Sequence, residues 1–297
     1  MPSATYSAKA DGSGPMGKKI DARLAYFPGC SLATSAKENN QSLMDSCRSL
    51  GYELKTLEDW NCCGSSSAHS INQAVAWRLP ARNLALVPEG MSLLVACPSC
   101  MLRMVQAHTE LKHDTEKQKA YAQLFRRPFD PGLKIIHFFE LLDQATAQMN
   151  RNDGLLKGLK VAPYYGCMLA APPQLKVPDY FHGSIERVLS RFGTESVRWP
   201  YPSRCCGTFL SAARPDVVVP LVNEVMTGAV TVNADCIVTA CAMCQLNLEL
   251  RCTIKAPLPV FHFSELLALA LGCESRKEWF DRHLIDPRPL LQKYHLL

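Results

Sequence analysis

Two adjacent cysteines followed by glycine occur twice in this chain, as Asn61-Cys62-Cys63-Gly64 and as Arg204-Cys205-Cys206-Gly207. Adjacent cysteines rarely reach the Cα separation and the Cβ geometry that an unstrained disulfide needs. They suit a site where two thiolates bind neighbouring metal atoms, and a glycine there lets the backbone turn tightly or approach closely. The motif therefore predicts a metal-binding loop, and its recurrence predicts two such loops.

Each Cys-Cys-Gly motif has matching neighbours along the chain. A glycine-cysteine pair precedes it, a C-x-x-C motif follows it, and a similar segment that begins at His137 or His262 comes after both. Ten of the fourteen cysteines thereby form two sets of five, which are Cys30, Cys62, Cys63, Cys97 and Cys100 in the first half and Cys167, Cys205, Cys206, Cys241 and Cys244 in the second. An internal duplication explains both sets and predicts two similar structural units.

Length and composition agree with two globular units. The 297 residues, 47% of them apolar and 20% charged, suffice for two domains that each have their own core. We expect a disordered tail at residues 1–20, a first domain at 21–152 and a second domain at 153–297, joined by a polar linker near 150–154. The net charge of +5 comes from scattered basic residues, so no nucleic-acid-binding stripe is expected.

The cysteine content also bears on the cellular compartment. The first residues lack the apolar run of a secretory signal, and no stretch approaches the roughly 18 apolar residues of a membrane span. Fourteen cysteines in such a chain predict a cytoplasmic, reducing compartment, where thiolates and metals are favoured over disulfides.

Short apolar runs end where the cysteines begin. Leu24–Phe27 precedes Cys30, residues 93–96 precede Cys97, and the second half repeats the pattern. Such runs are typical of parallel strands that are buried on both faces, and parallel strands gather their ligand-binding loops at their carboxyl ends. The fold class is therefore α/β, with two tandem, pseudo-symmetric, Rossmann-like domains that each contain a mostly parallel sheet.

Three helices are predicted with particular boundaries. One begins at Ser66 or Ser67 after the first Cys-Cys-Gly loop and should be kinked or divided by Pro80. Another begins at the first C-x-x-C motif, which places that motif at a helix N-terminus where thiolates are stabilised. A third is expected from His137 to Met149, and the histidine at its start is expected to have a structural role, as is His262 in the second half.

Five thiols exceed the four ligands of a tetrahedral zinc site or of an ordinary cubane cluster. The two sets resemble the duplicated cysteine-rich CCG domain of the heterodisulfide reductase B subunit family, over about residues 21–270. The resemblance implies that each domain binds a non-cubane 4Fe–4S cluster through all five of its cysteines. The ten cysteines named above are thereby the predicted ligands, although the spacer before each C-x-x-C motif is a residue or two shorter than the family pattern.

The resemblance also implies an activity and partners. The chain would be the iron–sulfur catalytic subunit of a heterodisulfide-reductase-like oxidoreductase, making or breaking disulfide or sulfur bonds by one-electron steps. A sulfur-oxidising variant that acts on lipoate-bound or thiol-bound sulfur is the form we expect. No GxGxxG fingerprint for a flavin or nicotinamide follows any predicted strand, so electrons would pass through two partners, a ferredoxin-like iron–sulfur protein (the C component) and a flavin-bearing protein (the A component).

Other interpretations of the same residues stay open at this point. The clusters could serve only as an electron relay, as in lactate- or glycolate-oxidation and succinate dehydrogenase complexes, or one half could bind zinc. His69 could donate a proton to a leaving thiolate, or it could be an exposed or capping histidine, since the second half has no counterpart of it. Arg204 and Arg214 could receive an anionic substrate or offset the charge of the thiolates. The cysteines outside the two sets, which are Cys47, Cys236, Cys252 and Cys273, are expected to be apolar thiols.

Overall fold

The computed structural model describes residues 20–147, 149, 154–170, 183–273 and 277–297. The predicted disordered tail lies outside the described residues except for Ile20, and the predicted linker lies outside them except for Gly154. Within the described ranges, no helix has both the length and the apolar character that a membrane crossing requires.

The first half forms a parallel sheet from four short strands. They are β1 (Arg23–Phe27), β2 (Glu53–Thr56), β3 (Leu93–Val95) and β4 (Ile135–His137). The order across the sheet is β2-β1-β3-β4, and every neighbouring pair is parallel. β1, apart from its first residue, and β3 are fully buried, as expected for strands covered on both faces.

The second half repeats this sheet strand for strand. Its strands are β5 (Lys160–Tyr164), β6 (Glu195–Ser196), β7 (Cys236–Thr239) and β8 (Val260–His262). They are also all parallel and follow the equivalent order β6-β5-β7-β8. The predicted α/β class with two pseudo-symmetric, Rossmann-like sheets is therefore confirmed.

Helices connect the strands in both halves. Those of the first half are α1 (Gly29–Ala33), α2 (Lys37–Ser49), α3 (Ala68–Ile71), α4 (Gln73–Ala85), α5 (Pro98–His113), α6 (Thr115–Phe125) and α7 (Phe138–Thr146). Those of the second half are α8 (Gly166–Ala170), α9 (Ser184–Ser190), α10 (Pro215–Thr231), α11 (Ala242–Leu250), α12 (Phe263–Ala270) and α13 (Arg288–Lys293), with 3-10 segments at Thr208–Leu210 and Lys277–Arg282.

The helix after the first Cys-Cys-Gly loop is divided at Asn72 and not at Pro80. Asn72 has an extended backbone, and its side chain accepts hydrogen bonds from the amides of Ala74 and Val75. This N-cap satisfies free amides at the start of α4, so a new helix begins there. Pro80 lies inside α4, and the predicted break at the proline was wrong.

The segment at His137 also differs from the prediction. His137 ends β4 and caps α7, which stops at Thr146 and does not reach Met149. A capping box forms with Glu140, and His262 forms the equivalent box at the start of α12. The structural role predicted for both histidines is confirmed, whereas the three-residue strands that they terminate were missed.

The hydrophobic core continues from one half into the other. The ring of Phe263 lies 5.0 Å from that of Phe138 and 4.7 Å from that of Phe139. Next to them, the buried hydroxyls of Ser42 on α2 and Ser264 on α12 lie 2.7 Å apart. One buried apolar cluster contains residues of both sheets, and a second contains residues of the second half alone. The second half therefore has a core of its own in addition to the shared one. This shared core fixes the orientation of the two sheets.

Candidate metal centres

Strand order brings the cysteine loops of each half together. In the first half, Cys30 follows β1, the Cys62-Cys63 pair follows β2, and Cys97 follows β3. Because β1 lies between β2 and β3 and all three are parallel, the three loops leave the same edge of the sheet side by side. β5, β6 and β7 gather the second set in the same way.

The thiols of each set form close pairs. The Sγ atoms of Cys30 and Cys62 lie 3.8 Å apart, and those of Cys63 and Cys100 lie 3.2 Å apart. The corresponding distances in the second set are 3.7 Å from Cys167 to Cys205 and 3.4 Å from Cys206 to Cys244. All fourteen cysteines are free thiols, so these contacts are not disulfides.

The spacing of the paired thiols suits thiolates that share a metal atom. Two thiolates that share a tetrahedral metal at about 2.3 Å lie about 3.8 Å apart, close to the observed pair distances. However, no group of three or more Cys, His, Asp or Glu side chains in the described ranges surrounds a single-ion position. Thiols in contact at this spacing can act as donors to one metal atom or to neighbouring metal atoms.

The glycines next to the cysteines make room for the sulfur atoms. Gly29 has a φ of +73°, and a Cβ atom there would lie 3.0 Å from the Cys100 Sγ. Gly166 has a φ of +64°, and its Cβ would lie 3.2 Å from the Cys244 Sγ. Any other residue would therefore combine a strained backbone with a displaced thiol, which explains why glycine precedes the first cysteine of both sets.

Contacts between thiols shift their proton affinities in opposite directions. Contact with the Cys30 thiol, assisted by Cys63, lowers the pKa of Cys62 to about 2, and contact with Cys167 lowers the pKa of Cys205 to about 6. The same contacts raise the pKa of Cys30 and of Cys167. Cys62 and Cys205 thus lose their protons readily, and a thiol must be deprotonated to bind a metal.

Buried amides hold the two Cys-Cys-Gly loops in place. The Asn83 side chain accepts a hydrogen bond from the Asn61 amide at 2.9 Å and donates one to the Asn61 carbonyl at 2.8 Å. In the second half, the Asn247 side chain donates to the carbonyl of Cys206 at 2.7 Å. These contacts orient the ligand loops from outside, as supporting residues do in metal sites.

The two capping histidines also support the C-x-x-C motifs. The side chain of His137 bonds the carbonyl of Ala96, and that of His262 bonds the carbonyl of Ala240. Each alanine immediately precedes the first cysteine of its motif. Burial lowers the pKa of both imidazoles to about 3, so both are neutral. The sequence repeats both histidines, but their contact with the C-x-x-C motifs could be inferred only once the order of the strands is known.

All ten predicted cysteines line one cavity of about 440 Å³. The two sets were expected to form two separate centres, and the structure places both at the wall of a single space between the halves. Side chains that sequence reasoning missed, among them Ser65, Tyr165 and Met243, complete the wall. A volume in this range is usual for a small-molecule site.

His69, Arg204 and Arg214 lie away from the described wall of the cavity. His69 is exposed on α3. Arg204 forms an ion pair with Glu224 at 2.8 Å, and Arg214 forms one with Asp216 at the same distance. The cysteines outside the two sets do not line the cavity either; Cys47 and Cys236 are buried, and Cys252 and Cys273 are half-buried.

Comparison with known proteins agrees with the duplicated architecture. The crystal structure of a hypothetical protein from Helicobacter pylori is similar, with a TM-score of 0.66 over 90% of this chain, but only 13% of the aligned residues are identical. The match covers 52% of that protein, so this chain spans about half the length of the solved structure. At this identity, the likeness shows the fold alone.

Curated proteins are similar over most of their length. The 8-methylmenaquinol:fumarate reductase membrane anchor subunit of Wolinella succinogenes is 27% identical over 90% of this chain and 98% of its own. A protein of Archaeoglobus profundus that is named as similar to the heterodisulfide reductase B subunit is 26% identical over 86% of this chain and 92% of its own. The B subunit of the ferredoxin:CoB-CoM heterodisulfide reductase of Methanosarcina mazei is 24% identical over 92% of this chain and 97% of its own.

The sequence model of the CCG cysteine-rich domain matches this chain twice, at residues 24–105 and 161–249. Each match contains one complete set of five cysteines together with the strands and loops that position it. The chain therefore belongs to the CCG cysteine-rich domain family and carries two copies of that domain.

Proposed function

We propose that this protein is the sulfur-active iron–sulfur subunit of a heterodisulfide-reductase-like complex. The observation that carries the proposal is the shared cavity, because both sets of five thiols open into one space large enough for a small molecule. The relatives named as the heterodisulfide reductase B subunit, or as similar to it, support the reaction class, since the alignments with them span nearly the whole of both chains.

The ten cysteines are the proposed ligands, five for each of two non-cubane 4Fe–4S clusters. The donor set fits such groups because the thiols are paired and free, and because Gly29 and Gly166 leave room beside them. A bound cluster would supply one-electron transfer and an iron atom with affinity for sulfur. No ordinary side chain of the cavity wall offers either property.

The chain itself would bind and shield the substrate. We propose that the substrate is a disulfide, or a sulfur bound to a thiol or to lipoate. Cleavage of RS–SR′ consumes two electrons and two protons and yields RSH and R′SH. The reverse, oxidising reaction releases two electrons and two protons. Because no GxGxxG fingerprint for a flavin or nicotinamide follows any predicted strand, the electrons would pass through the ferredoxin-like C component and the flavin-bearing A component of such a complex.

A second candidate function is an electron relay without a substrate of its own. The similarity to a fumarate reductase subunit of Wolinella succinogenes favours it, because that alignment covers 98% of the relative. In a relay, the clusters would exchange electrons with neighbouring subunits, and a disulfide would neither bind in the cavity nor react there.

Metal counting on anaerobically isolated protein tests the proposed ligands. We expect about eight irons and about eight sulfides per chain. Cys63→Ser and Cys206→Ser should each lose about four irons, whereas Cys252→Ser, which lies away from the cavity wall, should lose none. Four irons and one zinc would assign a structural role to one half, and full iron content in both ligand variants would refute the ligand assignment.

Addition of a disulfide to the iron-loaded protein distinguishes the two candidate functions. A sulfur-active subunit should change its EPR spectrum on binding and should reduce the disulfide when a one-electron donor is supplied. An iron-loaded chain that accepts and returns electrons without any response to a disulfide would be a relay.

A further inference from the structure

The two sets of cysteines match, but the side chains beside them do not. Three equivalent positions line the cavity in both halves: the residue after the first cysteine, the second residue after the Cys-Cys-Gly motif, and the third residue of the C-x-x-C motif. They are Ser31, Ser66 and Ser99 in the first half and Met168, Phe209 and Met243 in the second. The first set of thiols therefore has hydroxyl groups beside it, whereas the second has two thioethers and an aromatic ring.

Ser65 adds a buried hydroxyl that is free to donate a hydrogen bond. The residue is 6% exposed and lines the cavity, and its Oγ has no hydrogen-bond partner among the described residues. Its backbone amide bonds the Cys63 thiol, which keeps the residue next to the first set of ligands. Its counterpart in the second half is Thr208, whose hydroxyl already donates to the Met243 carbonyl at 3.4 Å. Because an unpaired buried hydroxyl is costly, a bound group that accepts its hydrogen bond would be stabilised.

The backbone donors to the thiols are matched between the halves. The Gly64 amide lies 3.5 Å from the Cys62 Sγ, and the Gly207 amide lies 3.3 Å from the Cys205 Sγ. These hydrogen bonds therefore affect the two sets of thiols alike.

Each half also has a side chain that hydrogen-bonds a thiol. Ser31 bonds the Cys30 thiol, and Asn247 bonds the Cys206 thiol. The Asn247 side chain donates to the Cys206 carbonyl as well, at 2.7 Å. Because these two donors offset one another, the hydroxyl of Ser65 is the donor that distinguishes the first half from the second.

Charged side chains do not create a comparable difference. Beside the first Cys-Cys-Gly loop, Arg82 donates to the Asn61 side chain at 3.0 Å and forms an ion pair with Asp59. In the second loop, Arg204 forms an ion pair with Glu224 at 2.8 Å. Each loop thus has one arginine that a carboxylate neutralises, and both pairs are partly exposed to solvent that screens them.

Hydrogen bonds to sulfur affect the reduction potential of an iron–sulfur centre. Reduction adds one negative charge, and a hydrogen-bond donor stabilises the more negative form more strongly, so that each donor raises the potential. Apolar side chains exclude water and donate no hydrogen bond, which disfavours the added charge. The half that contains Ser65 therefore provides the environment of higher potential.

We propose that the two centres differ in reduction potential, and that the Ser65 hydroxyl raises the potential of the first by donating a hydrogen bond to one of its sulfur atoms. The first centre is the one held by the first-half cysteines, and the second is the one held by the second-half cysteines. Single electrons from a one-electron donor are then held preferentially on the side of Ser65, and their transfer forms and breaks no covalent bond. A two-electron reaction that is supplied one electron at a time needs such a defined place for the first electron.

Anaerobic redox titration of the full-length, iron-loaded chain, followed by absorbance and EPR, tests the inequality. Cys206→Ser should keep only the first centre, and Cys63→Ser should keep only the second. The equilibrium constant for reduction should be at least about threefold larger in Cys206→Ser, which is about 30 mV at about 59 mV per tenfold change. Equal potentials in the two variants, or the reverse order, would overturn the inference.

Substitutions of Ser65 test the role of its hydroxyl with all ten cysteines in place. Ser65→Ala should lower one of the two potentials, by about threefold to tenfold in the equilibrium constant or about 30–60 mV, and leave the other unchanged. Ser65→Thr keeps the hydroxyl and should keep both potentials. A Ser65→Ala chain with neither potential lowered, or with both lowered equally, would contradict the assignment.

Two control variants remove hydroxyls that are not expected to reach a centre. Ser67 is exposed and does not line the cavity, and the hydroxyl of Thr208 is already bonded to a carbonyl. Ser67→Ala and Thr208→Val should therefore leave both potentials unchanged. A shift in either control as large as that in Ser65→Ala would refute a specific role for Ser65.

Iron content distinguishes this inference from the proposed function, on which it rests only in that the cysteines hold two iron–sulfur centres. Both Ser65 variants should retain about eight irons, because the backbone amide that bonds the Cys63 thiol is unchanged. A chain that binds no iron would refute the ligand assignment and the inference together. An iron-loaded chain with two equal potentials would refute only the inference, whereas unequal potentials without any response to a disulfide would refute only the sulfur activity.

Discussion

His283 is expected to stabilise the fold by bridging two buried carboxylates. Its Nδ1 lies 2.8 Å from Glu249 on α11, and its Nε2 lies 2.9 Å from Glu265 on α12. The three side chains are only 2%, 3% and 1% exposed, respectively. Burial alone would lower the pKa of the imidazole, but the two carboxylates raise it to about 10, so His283 is a cation at neutral pH.

The free energy involved follows from that pKa. A rise from 6.5 to about 10 corresponds to about 5 kcal/mol at about 1.4 kcal/mol per pH unit. Removal of one partner from a buried ion pair costs about 3–5 kcal/mol, which is the same range. His283→Gln keeps a hydrogen-bond donor but removes the charge, and we expect it to lower the free energy of unfolding by about 3–5 kcal/mol at pH 6.

The effect should depend on pH with a defined sign. Because the folded-state pKa is raised, the stabilisation is fully present below pH 6.5 and is lost as the pH rises towards 10. For a chain of 297 residues, the loss at pH 6 corresponds to a Tm about 5–8 °C lower. The difference in Tm between wild type and variant should therefore shrink steadily from pH 6.5 to pH 10.

Thermal unfolding followed by circular dichroism under anaerobic conditions provides the measurement. His113→Gln is the matched control, because His113 is exposed at the end of α5, and its Tm should stay within about 1 °C of wild type at every pH. A His283→Gln variant as stable as this control at pH 6, or a difference that grows with pH, would refute the charged bridge.

Three further substitutions test the supports of the first site. Gly64→Ala should lose about four irons and should be less stable than the control Gly51→Ala, as measured by iron analysis and urea unfolding. Both glycines have a positive φ, but only at Gly64 would a Cβ meet another atom, 2.8 Å away on Leu79. Asn83→Leu should cost about 1–3 kcal/mol in urea unfolding and speed iron loss to a chelator, since it removes two hydrogen bonds to the Cys62-Cys63 loop. Burial raises the pKa of Glu140 to about 7, so the wild type loses stability as the pH rises from 4.5 to 7. Between pH 5 and pH 8, the free energy of unfolding of Glu140→Gln should therefore rise relative to that of the wild type, by up to about 3 kcal/mol in the same assay.

The strands and cysteine loops could be predicted because local patterns specify them. A continuous apolar run such as Leu93–Val95 predicts a buried strand, and the C-x-x-C motif with Pro98 predicts the helix that begins there. The short strand Ile135–His137 was missed because it contains only two apolar residues, and because its histidine belongs to both the strand and the following helix cap. Likewise, the Asn72 cap involves a single residue, whereas Pro80 is a conspicuous signal.

Features that depend on distant residues could not be predicted in this way. Glu249, Glu265 and His283 come from three separate segments, and nothing in their spacing indicates that they meet. The shared cavity depends on the contact of Phe138 with Phe263 across the halves, which an internal repeat does not specify. The repeat predicts what each half contains, but only tertiary packing decides whether the two sites face one another.

The continuous core turns a duplicated site into a composite one. If a linker alone joined the halves, each set of five thiols would be exposed to solvent independently of the other. Instead, the buried contact of Ser42 with Ser264, together with the 2.5 Å hydrogen bond from Asn39 to Gln245, fixes α2 against α12 and α11. Because α11 begins just after Cys241, this contact also sets the distance between the two sets of thiols. The lining residues can then diverge while the thiols stay matched: the Ser65 hydroxyl has no partner among the described residues, whereas that of its counterpart Thr208 donates to the Met243 carbonyl.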